Sequence, residues 1–237
     1  MNLGIATFVN QNKKYLELLE VMIESVLKFT DLKIEVNSIN FNYTHNSNRV
    51  INKRININHE NLYTIYFSKI LSCIQTEFDY ALILDSDNIV TPEIMNLFNQ
   101  ENYDNIDNYV LGPRHPQYPI VDDSLIKYFD APQTQPYVHG NFLFNKNSKI
   151  FLEEVYDRCY FAYNNGIQLP SHDETILNLS LWKHKLTDKY LYYFDPYYEV
   201  FLNRHTEKQF YDEEVKYYMC HGCKDPSIAR NIFNQIN

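Results

Sequence analysis

The sequence predicts an α/β fold built on a parallel sheet. Three observations predict it. Leu3 to Val9 and Tyr80 to Leu84 are short, almost wholly apolar runs, the mark of strands buried on both sides. They alternate with stretches whose apolar residues recur at helical spacing, so the chain opens as strand, helix, strand, the order that favours parallel pairing. The second run then stops at Asp85-Ser86-Asp87, at the carboxyl edge where open α/β sheets bind ligands.

Each element follows from its own pattern. After the first strand, Tyr15 to Phe29 places Leu16, Leu19, Met22, Ile23, Val26 and Leu27 close to helical spacing. Leu32 to Ile39 alternates partly and reads as a second strand, and the Asn-rich segment Asn40 to Asn48 as a loop. Asn61 to Gln75 regains helical periodicity and delivers the chain into the strand that ends at the aspartates. Thr91-Pro92-Glu93 looks like a cap with Pro at the first helical position, opening a helix from about Thr91 to Asn99. Tyr109 to Pro113 starts another strand. The Pro-rich stretches Gly112 to Pro119 and Pro132 to Pro136 mark irregular connections of the kind that build binding sites. Asn141 to Asn145 is a strand, Ser148 to Asn164 an amphipathic helix and Asp173 to Lys183 a further helix.

Composition narrows the function classes. The 237 residues are 45% hydrophobic and 16% aromatic, enough to fill a substantial core, and neither a repeat nor a linker divides them, which predicts one domain over 1–237. A net charge of -9 without any dense Lys/Arg cluster argues against a nucleic-acid surface, which must displace counterions from phosphates. No apolar run is long enough to cross a bilayer, and Met1 to Asn10 reads as a strand rather than a signal segment, so a soluble, cytoplasmic protein is expected. The four cysteines, Cys73, Cys159, Cys220 and Cys223, are too few and scattered for a disulfide framework. Asn makes up about one residue in eight, the coding bias of an AT-rich genome such as that of a bacterium or a large DNA virus, in which case the host cytoplasm is the expected compartment.

The chemistry concentrates in four clusters. Residues two apart on a strand share a face, so Asp85 and Asp87 can converge on one hard cation, and Mg2+ or Mn2+ held by carboxylates keeps positions open for phosphate oxygens. The same letters are also ordinary turn and cap chemistry. Cys220-His221-Gly222-Cys223-Lys224 gathers an imidazole able to complete a divalent site and an ammonium able to neutralise a leaving diphosphate; a zinc or redox Cys pair and a lone surface His are the rival readings. Ser171-His172-Asp173-Glu174-Thr175 opens a helix with acidic residues, a normal capping arrangement that can also aim a carboxylate at an oxocarbenium-like centre. In Tyr137-Val138-His139-Gly140-Asn141-Phe142, a Gly just before a strand lets a sugar hydroxyl approach the backbone, and a tight turn explains it almost as well.

Taken in order over nearly the whole chain, strand-DSD, HGNFLFN, HDETILN and HGCK resemble the metal-dependent glycosyltransferases of the GT-A fold, a Rossmann-like α/β/α sandwich with a mostly parallel mixed sheet. The likeness is to retaining enzymes of the glycogenin and bacterial lipopolysaccharide galactosyltransferase type. There an Asp-Gln-Asp-Ile-Leu-Asn helix start resembles Asp173 to Asn178, and a C-terminal His with Gly and Lys resembles His221, Gly222 and Lys224. A second likeness is to the blood-group A and B transferases, through His172-Asp173-Glu174 and His115-Pro116-Gln117-Tyr118, although Ser171 stands where those enzymes carry Trp.

The resemblance implies a donor half at about 1–110 and an acceptor half at about 111–237. The expected donor is a nucleotide sugar, a UDP-hexose, and the acceptor a hydroxyl of a glycan or protein. Asp85, Asp87 and His221 would hold Mn2+ or Mg2+. Thr7, Phe8, Tyr66, Lys69, Asp85, Ser86 and Lys224 would contact the donor, and His115, His139, Gly140, Asn141 and His172 the acceptor side. Glu174 and Asp173 are the candidate catalytic carboxylates. As alternatives, an inverting enzyme would use Asp173 or Glu174 as general base, and a silent module would bind the nucleotide sugar without turnover.

Overall fold

A computed structural model describes residues 1–57, 62–112, 114–115, 123–131, 137–138, 140–184, 199–201 and 218–236. In chain order, the first half is β1 (Leu3–Val9), α1 (Lys13–Phe29), β2 (Lys33–Ile39), β3 (Val50–Ile55), α2 (Leu62–Gln75), β4 (Tyr80–Leu84), β5 (Ile89–Val90), a 3-10 turn (Pro92–Leu97) and α3 (Gln100–Ile106). The second half is β6 (Val110–Leu111), β7 (Arg114–His115), α4 (Asp123–Tyr128), β8 (Tyr137–Val138), β9 (Phe142–Asn145), α5 (Lys149–Asn164), α6 (His172–Lys183), β10 (Glu199–Phe201), β11 (Met219–His221) and a last helix, Pro226–Gln235.

Six strands form the main sheet in the order β3-β2-β1-β4-β9-β6. The first four are mutually parallel, and β9 runs antiparallel to both β4 and β6, so the sheet is mixed and mostly parallel. After β1 the chain builds outward through β2 and β3, then returns to place β4 on the other flank of β1. The carboxyl ends of β1 and β4 therefore flank a switch point, where such sheets open a crevice.

The apolar runs are explained by burial on two sides. Along β4, Ala81 and Ile83 face a core built from α2, α5 and α6, while Tyr80, Leu82 and Leu84 face one built from α1 and the 3-10 turn. In β9, Phe142 and Phe144 point to the first core and Leu143 to the second. Each fully buried Leu, Ile or Phe among them contributes roughly 1.5–3 kcal/mol relative to an exposed one. A third cluster joins α1 to the last helix through Leu18, Val21, Ala229 and Ile232.

One expectation changes, and two elements are added to those the sequence predicts. The helix expected from Thr91 to Asn99 is only the 3-10 turn, with Thr91 capping Glu93 N and Pro92 fixing its start. β3 is a strand that the pattern alone misses, because its middle residues alternate toward solvent and include Lys53 and Arg54, as an edge strand's do. The last helix also went unread; its N-terminus is capped by Asp225, which accepts from Ser227 N and Ile228 N, with Pro226 in the first turn. Most of the Pro-rich connections lie outside the described residues.

Candidate active site

Strand parity brings the first aspartate to its partner. Asp85 continues the face of Ala81 and Ile83, which is the side of α2, and there its Oδ1 meets the buried Lys69 Nζ at 2.8 Å. The Asp-Ser-Asp turn is pinned from behind. Asn88 donates to the Asp85 carbonyl at 2.8 Å, and Asn141 accepts from Asp85 N at 3.2 Å and exchanges side-chain hydrogen bonds with Asn88. Thr7 donates to the Leu84 carbonyl at 2.8 Å, locking the end of β1 to the end of β4.

These bonds give Thr7 and Asn141 a placement different from the one expected. Both are fully buried behind the pocket lining, and the bonds they make brace the turn. Asn88, which sequence reasoning passed over, belongs with them; its position directly after the Asp-Ser-Asp triplet was the available signal.

The C-terminal cluster arrives through sheet pairing. β5 leaves the aspartate turn and pairs antiparallel with β11, Ile89 opposite Cys220 and Val90 opposite Met219. That register sets His221 beside the turn, with Nε2 3.7 Å from Asp85 Oδ2. Gly222, at φ 82, then turns the chain so that Lys224 comes back to pair with Asp87. One ligand atom each from Asp85, Asp87 and His221 lie within 4.8 Å of one another. Two carboxylates and one imidazole, with the carboxylates drawn together by the turn, fit a divalent cation.

A pocket of about 370 Å³ opens in front of this group. One wall carries Phe8, Val9 and Asn10 from the end of β1, with Tyr15 from α1; the floor is Asp85, Ser86 and Asp87. The start of α6, His172, Asp173 and Glu174, and Tyr66 and Lys69 of α2 complete the lining. The chain enters α6 through His172 at φ 50, a left-handed conformation uncommon for a non-glycine residue, and the His172 ring stacks on Tyr66 with centroids 3.9 Å apart and planes 7° apart. Ser171 makes no side-chain cap bond; its backbone N donates to the Thr175 hydroxyl at 2.9 Å instead. Asn178 clamps α6 to β8, accepting from Val138 N at 2.7 Å and donating to Val138 O at 2.9 Å.

Gly140 explains how α6 and α2 come together in that lining. A Cβ there would lie 2.3 Å from Glu174 Oε1 and 2.9 Å from Lys69 Nζ, so this carboxylate and this ammonium occupy the space that any other residue would fill. His139 lies outside the described residues, and of His115 only the backbone is described, as the β7 partner of Tyr137.

The electrostatics follow from these contacts. Burial alone would favour neutral Lys69, but Asp85, Asp173 and Glu174 around it outweigh that and hold it firmly protonated. For Asp85 burial again acts the other way and is overcome by Lys69 and His221, which keep its carboxyl below the usual range. Asp173 is 5% exposed, and burial, together with the charges of Glu174 and Asp85, pushes it up to about 7 against the opposing pull of Lys69. Burial lowers His172, favouring the neutral ring.

Comparison with known proteins accords with this geometry. Residues 11–165 match the model of the family described as "Mannosyltransferase putative". No curated protein sequence matches. Among solved structures, the galactosyltransferase LgtC in complex with donor and acceptor sugar analogues superposes with a TM-score of 0.65 at 15% identity, covering 99% of this chain and 96% of that one. An active-site mutant of LgtC matches with the same score, identity and coverage. The fold is thus the GT-A fold.

Proposed function

The chain belongs to this mannosyltransferase family and is a glycosyltransferase, and we propose that it transfers a hexose from a nucleoside-diphosphate sugar to a hydroxyl of a glycan or protein, with a divalent cation and with retention at the anomeric carbon. The observation that carries the reading is the convergence of Asp85, Asp87, His221 and Lys224 at the switch point of the sheet, across one pocket from Asp173 and Glu174. The first half of the chain, about 1–110, supplies the nucleotide side in this reading, and about 111–237 the acceptor side. A UDP-hexose is the expected donor, and the family's description makes a mannosyl nucleotide the second to test.

Asp85, Asp87 and His221 would hold Mn2+ or Mg2+, which as a Lewis acid would neutralise charge on the departing diphosphate. Lys224 reaches into the same pocket and would bind the phosphate that becomes the leaving group. Phe8 and Tyr15 line the end where the base would lie, and Ser86, Tyr66 and Lys69 the stretch toward the sugar. Glu174, held over Gly140, is the carboxylate proposed to face the anomeric carbon and stabilise its developing positive charge. The bond from that carbon to the phosphate oxygen breaks with the electron pair leaving on the diphosphate. The acceptor oxygen forms the new bond, and its proton passes to the phosphate. Asp173, protonated to near neutrality, would hydrogen-bond a sugar hydroxyl beside the reacting carbon.

One observation favours a second reading. A carboxyl pushed up to about 7 is poised as a general base at neutral pH, so an inverting transfer with Asp173 deprotonating the acceptor deserves a direct test. Titrating UDP, GDP and their hexose conjugates with and without Mn2+, then resolving the anomer of the product by NMR, checks both. Metal-dependent binding of one nucleotide and a product that keeps the donor's anomeric configuration support the main reading. An inverted product moves the assignment to Asp173, and binding without turnover for any acceptor supports a silent module.

A further inference from the structure

Asp87 has two claimants. It is 3% exposed, and its Oδ2 is engaged by the Lys224 ammonium, yet the same carboxylate belongs to the group that would hold a divalent ion. A cation bound directly to that oxygen and an ammonium hydrogen-bonded to it compete for the same lone pairs and the same space. The other aspartate is different. Asp85 is paired with Lys69, but Lys69 keeps 5% of its side chain exposed and sits among Asp85, Asp173 and Glu174, so it has nowhere to go. Lys224 keeps 49% of its side chain exposed and follows the turn at Gly222. It also has the Tyr15 ring 5.9 Å away on the pocket wall as a second surface.

The charge count points the same way. Counting only Asp85, Asp87, Lys69 and Lys224, the formal charges cancel with both lysines in place, and Lys224 on Asp87 lowers what a divalent cation gains by entering. Once Lys224 moves off Asp87, the remaining three groups carry a net negative charge, and Asp87 recovers an oxygen to offer. A diphosphate in the pocket is the ligand able to draw an ammonium away, since it carries more negative charge over more oxygens than the single carboxylate of Asp87.

We propose that Lys224 is a displaceable plug of the metal site: paired with Asp87 it keeps a divalent ion weakly bound, and a nucleoside diphosphate, by taking Lys224 onto its phosphates, opens Asp87 to the ion. The proposal rests on the metal-dependent transferase reading above and adds a role for Lys224 before any sugar is transferred. Metal and nucleotide then bind with positive coupling, and linkage makes the coupling reciprocal. A free divalent ion is a poor ligand by itself, and the site assembles when the donor arrives.

The test is Mn2+ binding to the full chain by calorimetry and by the loss of free Mn2+ signal in electron paramagnetic resonance, first with Mn2+ alone and then with UDP or GDP present. Coupling energies of this kind correspond to about 5–150-fold in affinity. Lys224→Met is therefore expected to bind Mn2+ alone roughly tenfold tighter than the wild type while binding the nucleotide more weakly. Lys224→Arg, which keeps the charge, should retain the weak Mn2+ affinity of the wild type, and matching circular dichroism of the variants guards against a folding artefact. Equal Mn2+ affinity in the wild type and Lys224→Met, with nucleotide binding intact in the wild type, overturns the plug and leaves the metal site standing. No Mn2+ binding by any of the proteins, with or without UDP or GDP, overturns the metal site and the plug with it.

Discussion

Replacing Gly140 with alanine puts one methyl group where Glu174 and Lys69 meet. The new carbon would lie 2.3 Å from Glu174 Oε1 and 2.9 Å from Lys69 Nζ, against an ordinary contact of 3.4 to 4 Å. Relief requires the carboxylate to retreat by about 1 Å, a misplacement that can cost on the order of 100-fold in rate when it falls on a group aligned with the reacting atoms. Both displaced atoms are the ends of flexible side chains, so the backbone need not move and the stability cost should stay near 1 kcal/mol, at the low end for overpacking. Asp87 and Lys224 are untouched, and the Lys69 ammonium that holds Asp85 has only to shift slightly. The expectation for Gly140→Ala is thus a roughly 100-fold loss in kcat for transfer or for donor hydrolysis, with nucleoside-diphosphate affinity in the presence of Mn2+ changed only a few-fold. Gly166→Ala is the control: at φ 66 with nothing within 4 Å, it should cost stability through backbone strain and leave activity alone. Wild-type kcat in Gly140→Ala, or a loss confined to nucleotide affinity, would refute the assignment of Glu174's position as functional.

Two other outcomes follow from buried charge. The Asp173 carboxyl is pushed up to about 7 in the folded protein, whereas the unfolded chain titrates near 4. Between those values the unfolded state releases a proton that the native state keeps, so stability falls as pH rises, by about 1.4 kcal/mol per unit at most. Asp173→Asn should therefore gain on the wild type from pH 4 to pH 7 and hold its gain above; urea melts that show a difference flat with pH would contradict the burial of a protonated carboxyl. In the sheet, Glu35 is fully buried with Lys53 Nζ at 2.9 Å and hydrogen bonds from Asn37 and Thr76. Lys53→Met should cost about 3 kcal/mol by stranding that carboxylate, and Lys53→Met with Glu35→Leu should recover most of it; a single variant as stable as the wild type would show that the pair is dispensable.

What the sequence by itself determined is whatever repeats along the chain or ends abruptly in it. Alternation of apolar runs with helical stretches gave β1, α1, β2, α2, β4, β9, α5 and α6, because strands buried on both faces and helices packed on the sheet leave distinct patterns over a few residues or more. The halt of an apolar strand at Asp85 marked the candidate site, and the ordered motifs marked the fold and the reaction class. Short or polar elements escaped this reading: β3 carries Lys53 and Arg54 in its middle, and β5 and β11 have two and three residues, too few to show any period.

Only the tertiary structure decided which side chains share a space. That Asp87 meets Lys224, that Asp85 lies between Lys69 and His221, and that Asn141 and Thr7 brace the turn depend on pairings across 16 to 137 residues of chain. Gly140 carries the lesson most clearly: as a letter it signals a turn, and its reason for being glycine is a carboxylate and an ammonium brought to it from α6 and α2. Local periodicity records what each segment buries, whereas contact between distant segments is set by strand register and helix packing, which no single window of sequence contains.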